Sequence, residues 1–335
     1  MRIAVAILNW NGKNLLKKFL PRVVQYSPDA SVYVIDNAST DDSVDFIAVN
    51  YPEVTIVQNQ ENGGYAEGYN KGILKIDAEI ICLLNSDIEV TKNWLKPIIS
   101  LYNKDKRISV VQPKILDYKS KNRFEYAGAA GGFIDRLGYP YCRGRIFETT
   151  EKDYGQYDQS GSIFWASGSC FFIKKADFLK MDGFDEDFFA HQEEIDLCWR
   201  LFNKGYSIFY EADSCVYHVG GATLSTQDPR KTYLNFRNNL YLLVKNGPSH
   251  VYPFIILIRM VLDGIAGIKF LFSGQGSHMW AILKAHGSFY KNFPKFVKKR
   301  SKASQKIKYY QINSVVWQYY VLGRKTYNKI KGINL

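Results

Sequence analysis

The chain has 335 residues, 46% of them hydrophobic and 15% aromatic, enough to bury one large core or two smaller ones and too apolar for a disordered chain. Its net charge of +12 is lopsided: residues 291–335 hold twelve Lys and Arg and no Asp or Glu, leaving 1–290 balanced at 32 basic and 32 acidic groups. An acid-free basic tail points to a polyanionic surface as partner, either membrane headgroups or nucleic acid.

In chain order, the first hundred residues alternate strand and helix. Arg2–Leu8 is an apolar run of strand length, and Leu15–Val24 has helical spacing. Ser31–Ile35 reads as a strand ending at Asp36, and Asp42–Asn50 as a helix that Tyr51-Pro52 stops. Val54–Val57 is a strand and Gly64–Ile76 a helix. Ile80 to Asn85 is an unbroken apolar run ending in a polar residue, suited to a strand buried on both faces. This βαβα rhythm predicts an α/β fold with a parallel sheet and right-handed crossovers, whose ligands bind at the carboxyl ends of the strands. Neither a Gly-x-Gly-x-x-Gly after the first strand nor a Walker-type Gly-Lys-Ser/Thr is present, which argues against a dinucleotide or P-loop site.

Residues 117–160 lose the rhythm and read as loops and short strands. Ser169–Ile173 and Ser207–Tyr210 read as strands around a helix near Glu194–Asn203. From Pro229 the pattern is helical and increasingly basic. Val251–Phe272 is strongly apolar, but Arg259, Asp263 and Lys269 would make a membrane span costly. On a helix these three share one polar wedge, so an amphipathic helix is expected, lying on a membrane or packed on the preceding domain.

Four clusters carry chemistry beside the strand end at Asn85-Ser86-Asp87. Asn9-Trp10-Asn11-Gly12 closes the first strand and Asp36 to Asp41 the second. The third is Asn62-Gly63-Gly64-Tyr65, whose glycines allow close backbone approach to a ligand and open a helix that favours anions. Asn85-Ser86-Asp87 ends the buried strand; a carboxylate there can hold Mg²⁺ or Mn²⁺. Each turn taken alone is equally readable as a helix cap. The fourth cluster, 183–200, crowds Glu193, Glu194 and Asp196 behind an aromatic run. A solvated acidic first turn would account for one or two of these acids; a desolvated carboxylate among them would be tuned as a general base.

These motifs, with Gly168-Ser169-Cys170 and His218-Val219-Gly220-Gly221, run in one order over roughly residues 3–245. In that order the chain resembles family 2 glycosyltransferases of the GT-A fold, in particular the rhamnosyltransferase-like members that build bacterial surface polysaccharides. The resemblance implies inverting transfer of a sugar from a nucleotide-diphosphate donor to a glycan or lipid-linked acceptor, with a divalent cation as cofactor. It implies Glu194, with Glu193, as the catalytic pair. It places Asn9, Asn11, Asp36, Asn37, Gly63, Gly64, Tyr65, Asn70, Asn85 and Asp87 on the donor, and Asp196, Trp165 and Arg200 toward the acceptor. Asp87 and His218 would hold the metal, with Asn85 where the family's motif often has its first Asp.

The domains expected are a catalytic domain over 1–245, divided into a nucleotide-sugar half (1–116) and an acceptor half (117–245), and a helical basic region over 246–335. Five scattered cysteines without Cys-x-x-Cys spacing and the absence of a signal-peptide pattern suggest a reduced, cytosolic protein. The basic tail adds an anionic membrane surface as partner and a peripheral position at the inner face of the cytoplasmic membrane. Two other readings fit less. A sugar nucleotidyltransferase would carry a Gly-rich basic loop after the first strand, which Asn9–Lys13 lacks. A nucleic-acid-binding protein would explain the tail but not the acids at the strand ends.

Overall fold

The computed structural model describes residues 1–220, 228–300 and 308–333. In chain order its elements are β1 (Ile3–Asn9), α1 (Lys13–Tyr26), β2 (Ser31–Asp36), α2 (Ser43–Asn50), β3 (Thr55–Gln58), α3 (Gly64–Leu74), β4 (Ile80–Asn85), β5 (Ile88–Val90), α4 (Leu95–Lys104) and β6 (Ile108–Asp117). Four short strands follow: β7 (Gly132–Ile134), β8 (Pro140–Cys142), β9 (Arg145–Ile146) and β10 (Thr149–Thr150). Next come β11 (Gly161–Ile163), β12 (Cys170–Lys174), α5 (Lys175–Lys180), a 3₁₀ turn (Glu186–Phe188), α6 (Glu193–Asn203) and β13 (Ser207–His218). The chain closes with α7 (Pro229–Asn246), α8 (Tyr252–Phe272), α9 (Gly276–Lys298), a π-helical turn (Trp317–Val321) and α10 (Tyr327–Lys331).

The large sheet runs β11-β13-β6-β12-β4-β1-β2-β3, with β5 beside β13. Strands β3, β2, β1 and β4 are parallel, as the alternating rhythm predicts. β12 inserts antiparallel between β4 and β6. Both faces are covered. Cys82 and Leu84 of β4 point into a cluster with Leu16, Leu20 and Trp94, while Ile81 and Leu83 point into another with Tyr69 and Phe171. That alternation is why β4 reads as continuously apolar. α1 buries Leu16, Phe19, Leu20 and Val23, one stripe at helical spacing. α3 lies very close to the sheet: a methyl group at Gly72 would stand 2.5 Å from Ile35, and one at Gly68 2.5 Å from Asn37.

The excursion over 117–160 contains a four-stranded antiparallel sheet, β10-β9-β8-β7. β13 is longer than the Ser207–Tyr210 run, because a bulge between Glu211 and Cys215 absorbs the polar residues that break the alternation. The extra length delivers His218. The boundary at 245/246 falls at the end of α7, and the helices beyond it return to the same core. Phe296 of α9 stacks on Tyr241 of α7 with ring centres 3.8 Å apart. Tyr309 donates to the carbonyl of Arg136 at 2.7 Å, and Val315 N–H to Asp135 at 2.8 Å.

Candidate active site

The strand ends meet at one level: Asn9 is in register with Asp36, and Leu8 with Asn85. Asn9 is buried and its amide donates to Asp36 (3.0 Å), Ser39 (3.1 Å) and Ser43 (2.9 Å). Asp36 also accepts from the Ser39 main chain at 3.0 Å and its hydroxyl at 2.5 Å. Asn11, in the left-handed region at φ 51°, accepts from the Thr40 and Asp41 main chain at 2.7 and 3.2 Å. The first two clusters are thereby tied together. Asn37 donates to the Gly64 carbonyl at 2.8 Å and accepts from Asn59 at 2.7 Å, which fixes the Gly63-Gly64 turn. Gly64 has φ +73°, and a side chain there would press on the carbonyl of Phe189 at 3.3 Å. Donor-side turn and acidic segment therefore touch.

Tyr65 joins the two halves, its hydroxyl donating to the Gly168 carbonyl at 2.6 Å. Gly168 also lies against Glu194: a methyl group on it would be 3.7 Å from the Glu194 carboxyl carbon. The next residue, Ser169, accepts from Asn85 N–H at 2.9 Å. Two consecutive residues thus place the Glu194 carboxylate beside the end of β4. Burial pushes the Glu194 carboxyl up to about 7, against the opposing pull of nearby main-chain N–H groups, its own first and then those of Gln192, Gly168 and Ile195. Glu193 is more deeply buried, has one oxygen without a hydrogen-bond partner, and is pushed higher still by burial and by Glu194.

The segment before α6 is strained. Phe189, His191 and Gln192 all have positive φ, at 63°, 68° and 73°. Asn238 of α7 holds it, its amide facing the carbonyls of Phe188 (3.0 Å), Ala190 (2.9 Å) and His191 (2.7 Å). Gln192 donates to the Asn235 carbonyl at 3.1 Å. Nothing in the sequence marks Asn238, because its role depends on three carbonyls almost fifty residues earlier. Asn238→Leu should cost about 1–3 kcal/mol, as buried carbonyls lose a donor. It should also lower kcat if Glu194 acts in the reaction, because Glu194 follows the loop. Thermal melts and kinetics will check this; full kcat in a folded variant would contradict the strap role.

Asp87 and His218 come together because β5 pairs with β13 and Ile88 faces His218. His218 Nε2 lies 3.1 Å from Asp87, and Nδ1 lies 3.3 Å from Glu125 without an aligned hydrogen bond. Burial would lower the imidazole, but Asp87 and Glu125 outweigh it and hold it at about 10. Glu125 beside Nδ1 is the arrangement by which a metal-binding histidine is oriented, and a divalent cation held by Asp87 and Nε2 would have to displace the imidazolium proton that now lies between them. Among the described residues no group of three His, Cys, Asp or Glu could hold a metal. Protein ligation would then stop at two, as for a hard cation that shares substrate phosphates. Glu125 has no motif around it and is absent from the sequence reading. Gly221, the last residue of the His218 motif, lies outside the described residues.

The residues expected on the acceptor side, Asp196, Arg200 and Trp165, are all interior. Asp196 accepts from Arg200 at 2.7 Å, Lys245 at 2.9 Å and Asn246 at 2.8 Å. Trp165 donates to the Phe133 carbonyl at 2.8 Å. Asn70, expected on the donor, exchanges hydrogen bonds with the Phe184 main chain at 2.9 Å in each direction. These ties fix α6 and the turn before it. Lys245 also reaches Asp185 at 2.7 Å, and Lys299, just past the end of α9, reaches Asp185 and Asp187 at 2.6 Å each. Against the burial that would raise it, Lys245 and Lys299 pull the Asp185 carboxyl down to about 2.

The family model described as "Glycosyl transferase family 2" matches residues 4–179. A low-salt glycan biosynthesis hexosyltransferase, Agl10 of Haloferax volcanii, is 22% identical over 242 residues, 70% of this chain and 73% of that protein. An N-acetylglucosaminyl-diphospho-decaprenol L-rhamnosyltransferase of Mycobacterium tuberculosis is 23% identical, covering 65% of this chain and 76% of its own. Among solved structures, GalNAc-T7 with UDP, GalNAc and Mn²⁺ superposes with a TM-score of 0.57 at 16% identity. That match covers 72% of this chain but only 47% of the other. The mannosyltransferase PcManGT of Pyrobaculum calidifontis, with GDP-Man and Mn²⁺, gives 0.51 at 14% identity, over 88% and 75% of the two chains.

Proposed function

The chain belongs to glycosyl transferase family 2 and is a glycosyltransferase of the GT-A fold, and on that premise we propose that it is an inverting enzyme using a nucleotide-diphosphate sugar. The sugar proposed first is rhamnose, and the acceptor a hydroxyl of a lipid-linked or cell-surface glycan, in keeping with the mycobacterial relative's name. The observation that carries the reading is the position of Glu194. This desolvated carboxylate sits one residue from the main-chain contact that ends β4, where an α/β sheet presents its ligand.

Glu194 takes the proton of the acceptor hydroxyl as its oxygen attacks the anomeric carbon. The bond to the diphosphate breaks on the opposite face, and the electron pair leaves with the nucleoside diphosphate. One displacement inverts the centre without an enzyme nucleophile. Asp87 and His218 would hold a divalent cation, Mg²⁺ or Mn²⁺, which when bound neutralises charge on the diphosphate. Glu125 orients the imidazole of His218. The turns at Asn9, Asp36, Asn37 and Gly64 form the walls that receive the nucleoside.

A panel of nucleotide sugars with Mg²⁺ or Mn²⁺ and a lipid-linked acceptor, scored for nucleoside diphosphate release, tests this. Acceptor-dependent release from one donor is expected; no release from any donor would end the proposal. The pH profile is a second check. The base works only when ionised, so kcat/KM should rise with pH through about 7 and level off above it. Stability runs the other way. With its folded pKa above the ordinary 4.5, the Glu194 carboxyl stabilises the fold fully below 4.5 and loses that contribution as pH rises through 7. A flat rate profile across this window would remove Glu194 as the base.

A further inference from the structure

Helix α8 is inside out by the standards of a water-facing helix. Its charged residues Arg259 and Asp263 are 2% and 0% exposed, while Leu257 and Phe272 are 66% and 86% exposed. Inside, Arg259 donates to the Leu137 carbonyl at 3.1 Å and lies over Tyr139 at 3.6 Å, and Asp263 meets His286 of α9 at 3.2 Å. Arg259 and Asp263 therefore turn toward the protein, while Lys269, the third charge of the wedge, stays exposed. Outside, Phe254, Leu257, Val261, Ile265, Ile268 and Phe272 recur every three or four residues, forming one exposed stripe. At 1.5 Å per residue it runs about 27 Å. Trp280 of α9 and Trp317 are likewise exposed. Soluble monomers rarely leave so continuous an apolar surface uncovered.

We propose that this stripe is a docking surface for an anionic lipid bilayer, with α8 lying in the plane of the headgroups. Charge selects this occupant. Lys269 flanks the stripe, over Tyr320 at 5.0 Å, and Lys284 stands near Trp280 at 5.9 Å. The chain after Asp263 carries fourteen Lys and Arg and no acid. A second copy would bring the same positive charge and be repelled, whereas anionic headgroups complement it. No helix among the described residues is long and apolar enough to cross a membrane, so the mode is in-plane. The stripe also leads toward the catalytic segment. Phe270 stacks on His278 at 5.0 Å, and His278 bonds Thr232 at 2.8 Å in the first turn of α7, the helix that straps the loop before Glu194. A membrane-borne acceptor would enter from that side.

Removing residues after Asn246 would strip Phe296 from the core and Lys299 from Asp185, so surface substitutions are the better probe. The full chain is sedimented with phosphatidylcholine vesicles with and without phosphatidylglycerol, alongside Leu257→Glu/Ile265→Glu and a control, Val49→Glu, on the 79% exposed Val49. Wild type and control should partition onto the anionic vesicles and the double variant at least about tenfold less, all three with the same melting temperature. Three results would overturn the proposal. One is no partition of wild type, and another is equal partition of the double variant. The third is a wild-type dimer that the double variant dissolves, which would make the stripe an interface between copies. The assay uses no donor sugar, so its failure is separate from failure of the transfer reaction.

Discussion

Glu194→Gln should lower transfer by about 10²- to 10⁴-fold while leaving donor binding nearly unchanged. The substitution keeps volume and burial and removes only the capacity to take a proton. Glu193→Gln is the informative companion. Burial and the neighbouring Glu194 push the Glu193 carboxyl up and favour its neutral form, which an amide resembles in shape and charge. That variant should retain most activity. Single-turnover transfer and equilibrium titration of the donor, on both variants, separate the two residues. Were Glu193→Gln the dead enzyme and Glu194→Gln the active one, the base would be Glu193.

The second large effect is expected at Asp87. Asp87→Asn removes the carboxylate 3.1 Å from His218 and should reduce transfer by about 10²- to 10³-fold, the usual cost of losing one charge-stabilising group. Half-saturation by Mn²⁺ should move upward at the same time. Glu125→Gln should act through His218 and weaken metal affinity by about 10- to 100-fold, with kcat recovered at high metal. Mn²⁺ titration of nucleoside diphosphate release measures both. An enzyme indifferent to chelator, with Asp87→Asn at wild-type rate, would refute the metal role.

What could be read from the sequence follows from locality. The strands β1, β2 and β4 are apolar runs that stop at Asn9, Asp36 and Asn85, and each polar stop is adjacent in sequence to the strand that delivers it. Their common level then follows from parallel pairing. Asp196 and Arg200 look like a solvated helix face until Lys245 and Asn246 arrive from α7 to bury them. The direction of α8 is undetermined for the same reason. A wedge of Arg259 and Asp263 fits water or protein equally, and only Leu137, Tyr139 and His286 decide it. Glu125 and Asn238 are single residues whose partners lie far along the chain, so no pattern announces them.

The lysines that hold Asp185 and Asp187 have a consequence for biogenesis. Lys299 is made 114 residues after Asp185, and its helix seals the aromatic contact with α7. During synthesis the N-terminal sheet folds first. The segment before α6 has Lys245 and Asn238 of α7 but lacks Lys299 until α9 has left the ribosome, by which time α8 is already in the open. The ties from Lys299 to Asp185 and Asp187 are thus completed only after the apolar helix has emerged.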